Sequence, residues 1–374
     1  MLDCLAMPET LKKTPLYDRH VSLGGKLVNF GGWALPVYYT GIISEHQWTR
    51  QSCSFFDVSH LGEIHVQGPG AEAFLQKRVT SDVRKCPKMG ILYALLCDEN
   101  GFALDDILIY RGIAEDYYLI VNAANTARDW AELKKYAGQG VVLEDHSSEM
   151  ACIAVQGPRS EAILEKLFSF HLKEMSYYSF KEEKLNGAPV WVSRTGYTGE
   201  DGFELFTANP LSVVIWDRLV HDGKKEGALP AGLGARNTLR LEAGNPLYGH
   251  ELDEVTTPLE AGMGFVVAWE KGDFVGREAL WKQKQAGVQK KLAAFKMLDK
   301  SVARDGYPVY KDGEKIGKVT SGSFAPSVGG NIGMAYVTIG NEALGNPLDI
   351  EIHGHLAKAE IVKRPFVALK HKKN

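Results

Sequence analysis

Two adjacent acids, Asp105 and Asp106, interrupt the apolar run Leu104-Asp105-Asp106-Ile107-Leu108-Ile109-Tyr110. Such a run reads as a strand, and strand side chains alternate, so the two carboxylates face opposite sides. A buried carboxylate is costly unless it is paired or hydrogen-bonded. In a cleft it acquires a raised pKa suited to proton handling. The competing reading is an acid that caps a strand edge. The stretch from Arg194 to Phe206 is more distinctive, with Gly196, Gly199 and Gly202 forming a tight loop before a strand. Glu204 lies between Phe203 and Leu205 and therefore faces away from both. Beside such a backbone, a carboxylate can accept two parallel hydrogen bonds from an amidine-like ligand edge. The competing reading is a hairpin with an exposed Glu. Downstream, Gly232-Leu233-Gly234-Ala235-Arg236-Asn237 and Leu239-Arg240-Leu241-Glu242 read as one helix with two Arg four apart. Either Arg can pair with a sheet acid or reach a ligand carboxylate.

Other constellations carry less. Phe56-Asp57-Val58-Ser59-His60 gathers an acid, a hydroxyl and an imidazole, but working triads assemble from distant positions, so turn and capping roles are expected for Asp57 and Ser59. His353-Gly354-His355 would place two imidazoles on one strand face with no third ligand nearby. Gly68-Pro69-Gly70-Ala71-Glu72-Ala73 mimics a dinucleotide fingerprint, but Pro69 occupies the turn and no regular β-α-β pattern follows. A structural strand-to-helix turn is expected there.

The elements that must position these residues include a weak internal repeat. Strands at Gly62–Val66 and Ala151–Val155 each run into Gln-Gly-Pro and an amphipathic helix. Further strands are predicted at Ile91–Cys97, Asp105–Tyr110, Tyr117–Val121 and Pro189–Ser193. The pattern is α+β with largely antiparallel sheet. Lys282–Lys291, rich in Lys and Gln, is predicted to be a linker. Beyond it, short strands at Leu292–Leu298, Tyr307–Tyr310, Ile316–Thr320, Ile332–Val337 and Leu348–Ile352, with a hairpin signal at Asp312-Gly313, predict a small all-β barrel or sandwich. The expected division is residues 14–281, holding two interleaved α+β subdomains, and residues 292–370, a β-barrel. The tail Lys370–Asn374 is expected to fray.

Composition narrows the function classes. The chain has 374 residues, and 43 Lys plus Arg against 46 Asp plus Glu leave a net charge of −3. That balance argues against a nucleic-acid partner. A hydrophobic share of 45% and a charged share of 24% fit a folded chain rather than disorder. No apolar stretch approaches a membrane span, so no membrane partner is expected. Thirty-nine Gly imply many tight turns or close approaches to a ligand. Five dispersed Cys without a C-x-x-C pair argue against a disulfide framework or a zinc site, and no metal is expected. Met1–Lys13 does not read as a signal peptide, which points to the cytoplasm, or to the mitochondrial matrix if a presequence has been removed.

Taken together, these stretches resemble the glycine cleavage system T-protein (aminomethyltransferase) family. The resemblance rests on Thr14-Pro15-Leu16-Tyr17-Asp18, Phe30-Gly31-Gly32-Trp33, Phe56-Asp57-Val58-Ser59-His60, Leu104-Asp105-Asp106 and Gly196-Tyr197-Thr198-Gly199-Glu200-Asp201-Gly202. It continues through Arg240-Leu241-Glu242-Ala243-Gly244, Thr256-Thr257-Pro258-Leu259-Glu260-Ala261-Gly262, Gly317-Lys318-Val319-Thr320-Ser321-Gly322 and Arg364-Pro365-Phe366-Val367. The resemblance implies three domains around a central cavity: two α+β domains with antiparallel sheets and a C-terminal β-barrel. It implies tetrahydrofolate as co-substrate and the lipoylated H-protein as partner, with the P- and L-proteins in the same system. The implied reaction releases ammonia from the aminomethyl-dihydrolipoyl arm and forms 5,10-methylenetetrahydrofolate; a monomer is expected. Residue by residue, it makes Asp106 the catalytic acid and Glu204 and Arg236 folate-binding. Tyr197, Asn122 and Asn125 would line the same cavity.

The sequence departs from the family pattern twice. Leu61 stands where the family usually has a folate-contacting Met, an apolar swap of similar volume. Ala368-Leu369-Lys370-His371 stands where some members place a folate-contacting Tyr. Two rival readings differ in sequence. The folate half of a dimethylglycine or sarcosine dehydrogenase would accompany a flavin fingerprint. An iron–sulfur assembly relative would carry a Cys in its K-x-C-Y-x-G-Q-E motif, where this chain has Arg194-Thr195-Gly196-Tyr197-Thr198-Gly199-Glu200.

Overall fold

Runs of alternating apolar residues bounded by glycine turns fold back on one another as antiparallel ladders. The computed structural model describes residues 11–372. Cys4 and most of the segment read for a leader lie outside them, as do the last two residues. Helix α1 (Tyr17–Ser22) leads into a hairpin of β1 (Lys26–Phe30) and β2 (Trp33–Tyr38). One sheet then has the order β5 (Ile91–Cys97), β6 (Ala103–Arg111), β7 (Asp116–Val121), β4 (Gly62–Gln67), β8 (Val142–Asp145). A second has the order β10 (Phe180–Leu185), β11 (Ala188–Ser193), β12 (Gly202–Ala208), β9 (Met150–Gln156), β3 (Cys53–Asp57), β13 (Ala228–Pro230). The two are copies of one pattern, with β4 to β7 in the first matching β9 to β12 in the second. The repeated strand, Gln-Gly-Pro turn and helix open each copy, with α3 (Ala71–Arg78) in one and α5 (Ser160–Phe168) in the other.

Strand alternation gives each sheet two apolar faces. Ile64, Val66, Ile107, Ile109 and Leu119 pack under α3 and α4 (Thr126–Tyr136). Ile153, Val155, Phe203 and Leu205 pack under α5 and α6 (Asn209–Arg218), with the short α7 (Lys224–Glu226) beyond. The opposite faces meet each other, where Tyr110, Ile120, Cys152, Ala154 and Phe206 form a shared core. Helix α8 (Leu233–Glu242) closes one end of this interface against α2 (Ile42–Gln51), β2 and the C-terminal domain.

That last domain is a closed barrel in the order β14 (Lys290–Met297), β17 (Gly330–Thr338), β16 (Glu314–Ala325), β15 (Pro308–Lys311), β18 (Pro347–Ile352), β19 (His355–Val362). The expected fold class, two α+β units and a C-terminal barrel, is the one observed. The Asp312-Gly313 hairpin joins β15 to β16 with both residues at positive φ.

Three expectations change. The predicted linker is helical in its first half, because α9 (Arg277–Ala286) runs through it with Leu280 buried and Trp281 packed edge-on against Trp269. His353 and His355 do not share a strand face: His353-Gly354 is itself the two-residue turn between β18 and β19. The tail is tied down as far as it is described, with the Lys370 amide donating to the Gly199 carbonyl at 2.8 Å and His371 stacked on Tyr177 at 4.2 Å.

Candidate active site

The alternation along β6 separates the two acids as the sequence requires. Asp105 shares a face with Ile107 and Ile109 and points at α4; Asp106 shares a face with Leu108 and Tyr110 and points at the second sheet. Asp106 lies deep in the molecule yet keeps an accessible surface, so it borders open space between the sheets. Tyr93 on the neighbouring strand donates its hydroxyl to Oδ2 at 2.9 Å, and Asn122 Nδ2 donates to Oδ1 at 3.0 Å. Burial, and then the nearby Asp105 charge, push the Asp106 carboxyl well above the usual carboxylate range, against the lowering effect of these two donors.

Asp105 is fully buried and fully engaged. Its oxygens accept from the Asn122 amide at 2.9 Å, Asn122 Nδ2 at 2.8 Å and Asn125 Nδ2 at 2.6 Å. Asn125 is thereby buried against Asp105, while Asn122 bridges the two acids. Behind Asp105 stands Asp129 of α4, with no exposed surface and no donor to either oxygen among the described residues. The two carboxyls come within hydrogen-bonding reach, and burial plus the Asp105 charge drive the Asp129 pKa upward. Two carboxylates cannot bond without a proton, and Asp105 is already occupied by N–H donors. The shared proton therefore sits on Asp129.

Glu204 occupies the facing sheet. It shares the inner face of β12 with Phe206, opposite to Phe203 and Leu205. A relay of hydroxyls ends on it: Tyr110 donates to Ser193 at 3.0 Å, Ser193 and Thr195 are 2.9 Å apart, and Thr195 donates to Glu204 Oε2 at 2.6 Å. Among the described residues no donor reaches Oε1. On α8 the two Arg divide the work. Arg240 is buried and pairs with Glu251 at 2.8 Å, whereas Arg236 lies over the Tyr197 ring at 4.7 Å with its buried Nη1 unpartnered. Tyr197 donates its hydroxyl to the Pro246 carbonyl.

Two tyrosines tie these groups into one site. Burial, then the Glu204 and Asp106 charges, push Tyr178 up to about 12. Burial also raises Tyr197, which feels both Asp106 and Arg236. Leu61 packs at the edge of the same inter-sheet core. The site thus offers a carboxyl of raised pKa, a carboxylate with one oxygen that no described residue donates to, and a guanidinium whose buried Nη1 has no partner among the described residues. A groove of about 640 Å³ opens elsewhere, between α2 and the barrel, and touches none of these residues.

Asp57 is drawn into a different arrangement. It accepts from His20 Nε2 at 2.8 Å, Thr14 Oγ1 at 2.6 Å and the Ser59 amide at 2.9 Å. His60, a few residues on, makes no bond to it; burial holds this imidazole down at about 4, and it stands edge-on to Phe30. Sequence reasoning missed Tyr93, Thr195, Tyr178 and Asp129. Tyr93 carries a usable signal, since it sits on the predicted strand beside Asp106, opposite Leu108 on the same face; Thr195 carries none, because it lies in the loop past the end of β11. Asp129 has none, because its contact crosses from a helix to a strand.

Comparison with known proteins bears on the whole chain. The family model described as the GCVT N-terminal domain matches residues 16–271, and that of the glycine cleavage T-protein C-terminal barrel domain matches residues 290–368. An aminomethyltransferase of Thermoanaerobacter sp. (strain X514) is 46% identical over 367 residues, covering 98% of this chain and 100% of the relative. One of Moorella thermoacetica is 45% identical over 357 residues, covering 95% and 98%. The crystal structure of the glycine cleavage system aminomethyltransferase T from Bartonella henselae superposes with a TM-score of 0.92 at 31% identity, covering 97% of this chain and 100% of that one.

Proposed function

The chain belongs to the glycine cleavage T-protein family and is an aminomethyltransferase of that system, and we propose that it works on tetrahydrofolate with Asp106 as its proton-handling residue. The observation that carries this assignment is Asp106 itself, a raised-pKa carboxyl that is deep, accessible, and held by Tyr93 and Asn122. The protein surroundings suit the co-substrate. Glu204 has one oxygen fixed by Thr195 and the other without a donor among the described residues, and the adjacent amino and ring N–H of a pterin form the two-donor edge a carboxylate prefers. Arg236 offers an unpartnered N–H in the same interior.

When bound, tetrahydrofolate supplies the nitrogens that accept the one-carbon unit. Asp106 serves the proton balance of the exchange. Bond formation frees a proton from the attacking nitrogen, and the departing amine needs one to leave as ammonia. A carboxyl titrating above the ordinary range can take the first and return the second near neutral pH. Tyr93 and Asn122 hold its two oxygens. The Asp129 proton stabilises the Asp105 charge behind it. Tyr197 and Leu61 line the enclosure, and Asn125 fixes Asp105. The aminomethyl donor is the lipoylated H-protein, the partner that membership of the family implies, and residues 14–281 and 292–370 form the folate-binding region and the barrel.

The test is ammonia release from aminomethyl-loaded H-protein, with and without tetrahydrofolate. Asp106→Asn keeps the shape and loses the proton. Folate-dependent release is expected to fall by about 10² or more, the range of a lost general acid–base. Near-normal turnover would overturn the assignment.

A further inference from the structure

On the rim of the inter-sheet face, away from Asp106, two imidazoles and a carboxylate converge. His65 on β4 is paired in register with Glu144 on the edge strand β8, and His146 follows β8 in the next turn. Glu144 Oε2 lies 3.2 Å from His65 Nδ1 and 3.5 Å from His146 Nε2, and all three ligand atoms lie within 4.8 Å of one another.

The outer nitrogen of each ring faces a second carboxylate. His65 Nε2 is 2.5 Å from Asp116 Oδ1, so its proton sits on that side. His146 Nδ1 is 3.5 Å from Glu149 Oε2. The inner nitrogens, His65 Nδ1 and His146 Nε2, both face Glu144 Oε2. His146 Nε2 is buried and has no hydrogen-bond partner among the described residues.

The spacing fits an ion. Ligand atoms at ordinary zinc bond lengths in a tetrahedron stand about 3.3–3.4 Å apart, and the two Glu144 edges bracket that value. Asp116 and Glu149 supply the carboxylates that orient metal-binding imidazoles through their far nitrogens. The His65 ring is further fixed by stacking on Tyr118 at 4.2 Å and 12°, and Gln67 Nε2 donates to Glu144 Oε2 at 3.1 Å. Two nitrogens and one carboxylate select zinc over calcium or magnesium, which prefer all-oxygen shells.

We propose that His65, Glu144 and His146 form a zinc site, with water completing the shell, that clamps edge strand β8 and its turn to β4. It is separate from the one-carbon chemistry and was invisible to cysteine arithmetic because it uses no thiol.

The experiment takes full-length, tag-free protein stripped with chelator and titrates it with zinc chloride by calorimetry. One equivalent is expected to bind, with a rise in the thermal midpoint. His146→Ala and Glu144→Gln should each weaken binding by at least about tenfold, while His355→Ala on the barrel changes nothing. Absence of binding by the wild type, or wild-type affinity in both variants, would overturn the site. Ammonia release by the two variants reports separately on folding and on the catalytic assignment.

Discussion

Asp129 is a buried acid whose value lies in the proton it keeps. The folded protein raises its pKa, by burial first and by the Asp105 charge second. The unfolded chain releases that proton near an ordinary Asp pKa of about 4. Folding therefore binds a proton between these two values. The stabilisation is full below the unfolded pKa and is lost as pH rises towards the folded one. Asp129→Asn retains an N–H donor for Asp105 and removes the titration. Its thermal midpoint should match the wild type near pH 5 and exceed it near pH 9. Parallel midpoints across that range would refute the proton placement. The orientation of Asp106 and Glu204 was legible because strand alternation needs only local sequence. The choice between Arg236 and Arg240 was not legible. It depends on Glu251, in the loop after the helix, which accepts from Arg240 and not from Arg236. Asp129 was hidden for a related reason, since the partner that makes it matter lies on another element.

At the scale of elements, the repeated Gln-Gly-Pro turn shows why a fingerprint resemblance misleads. Gly157 has φ +130°, and a Cβ there would lie 2.4 Å from the Ser52 carbonyl and 2.7 Å from that of Thr49. Its counterpart Gly68 has φ +106°, with a Cβ 2.5 Å from the Gly140 carbonyl. Both glycines admit neighbouring backbone, not a phosphate. Gly157→Ala should cost about 1–3 kcal/mol or more, combining strained φ with a backbone clash. Gly138→Ala, whose Cβ would meet nothing within 4 Å, should stay within about 0.5 kcal/mol of the wild type. Denaturant midpoints at constant slope measure both, and equal midpoints would remove the packing explanation. Most strands were legible from alternation and glycine punctuation. Strand β19 was not, because its inward positions are Ala357, Ala359 and Ile361, and alanine gives little contrast with its polar neighbours. The first half of the supposed linker misled for the opposite reason: its Lys and Gln cover the outside of α9, while Leu280 and the Trp269–Trp281 contact hold the inside.

At the scale of the molecule, α8 and the loop after it join the barrel to the two sheets through buried charge. Arg240 pairs with Glu251 and donates to Ser321 of β16 at 2.8 Å. Glu251 also accepts from Thr320 of β16 at 2.6 Å, and its carbonyl accepts from the Tyr336 hydroxyl at 2.6 Å. Glu242, at the end of the same helix, takes His46, Arg50 and the Ser327 amide. Burial raises Glu242, but these partners outweigh it and hold the carboxyl down at about 2. Its stabilisation is present above the ordinary Glu range and is lost as pH falls through about 2. The Arg240–Glu251 pair is the sharper test of how the domains cohere. Glu251→Ala leaves a buried guanidinium without its carboxylate and should cost about 3–5 kcal/mol. Replacing both partners with apolar residues, Arg240→Met with Glu251→Leu, removes the stranded charge and should cost clearly less than the two single changes summed. A double-mutant cycle in denaturant reads the coupling directly. Additive effects, each below about 1 kcal/mol, would show that the barrel is held by the apolar contacts of Leu241 with Leu292, Ile332 and Met334 instead. Strong coupling would make α8, the helix that also carries the proposed folate-binding Arg236, the joint between domains through Arg240. A strain applied at either end would then be felt at the other.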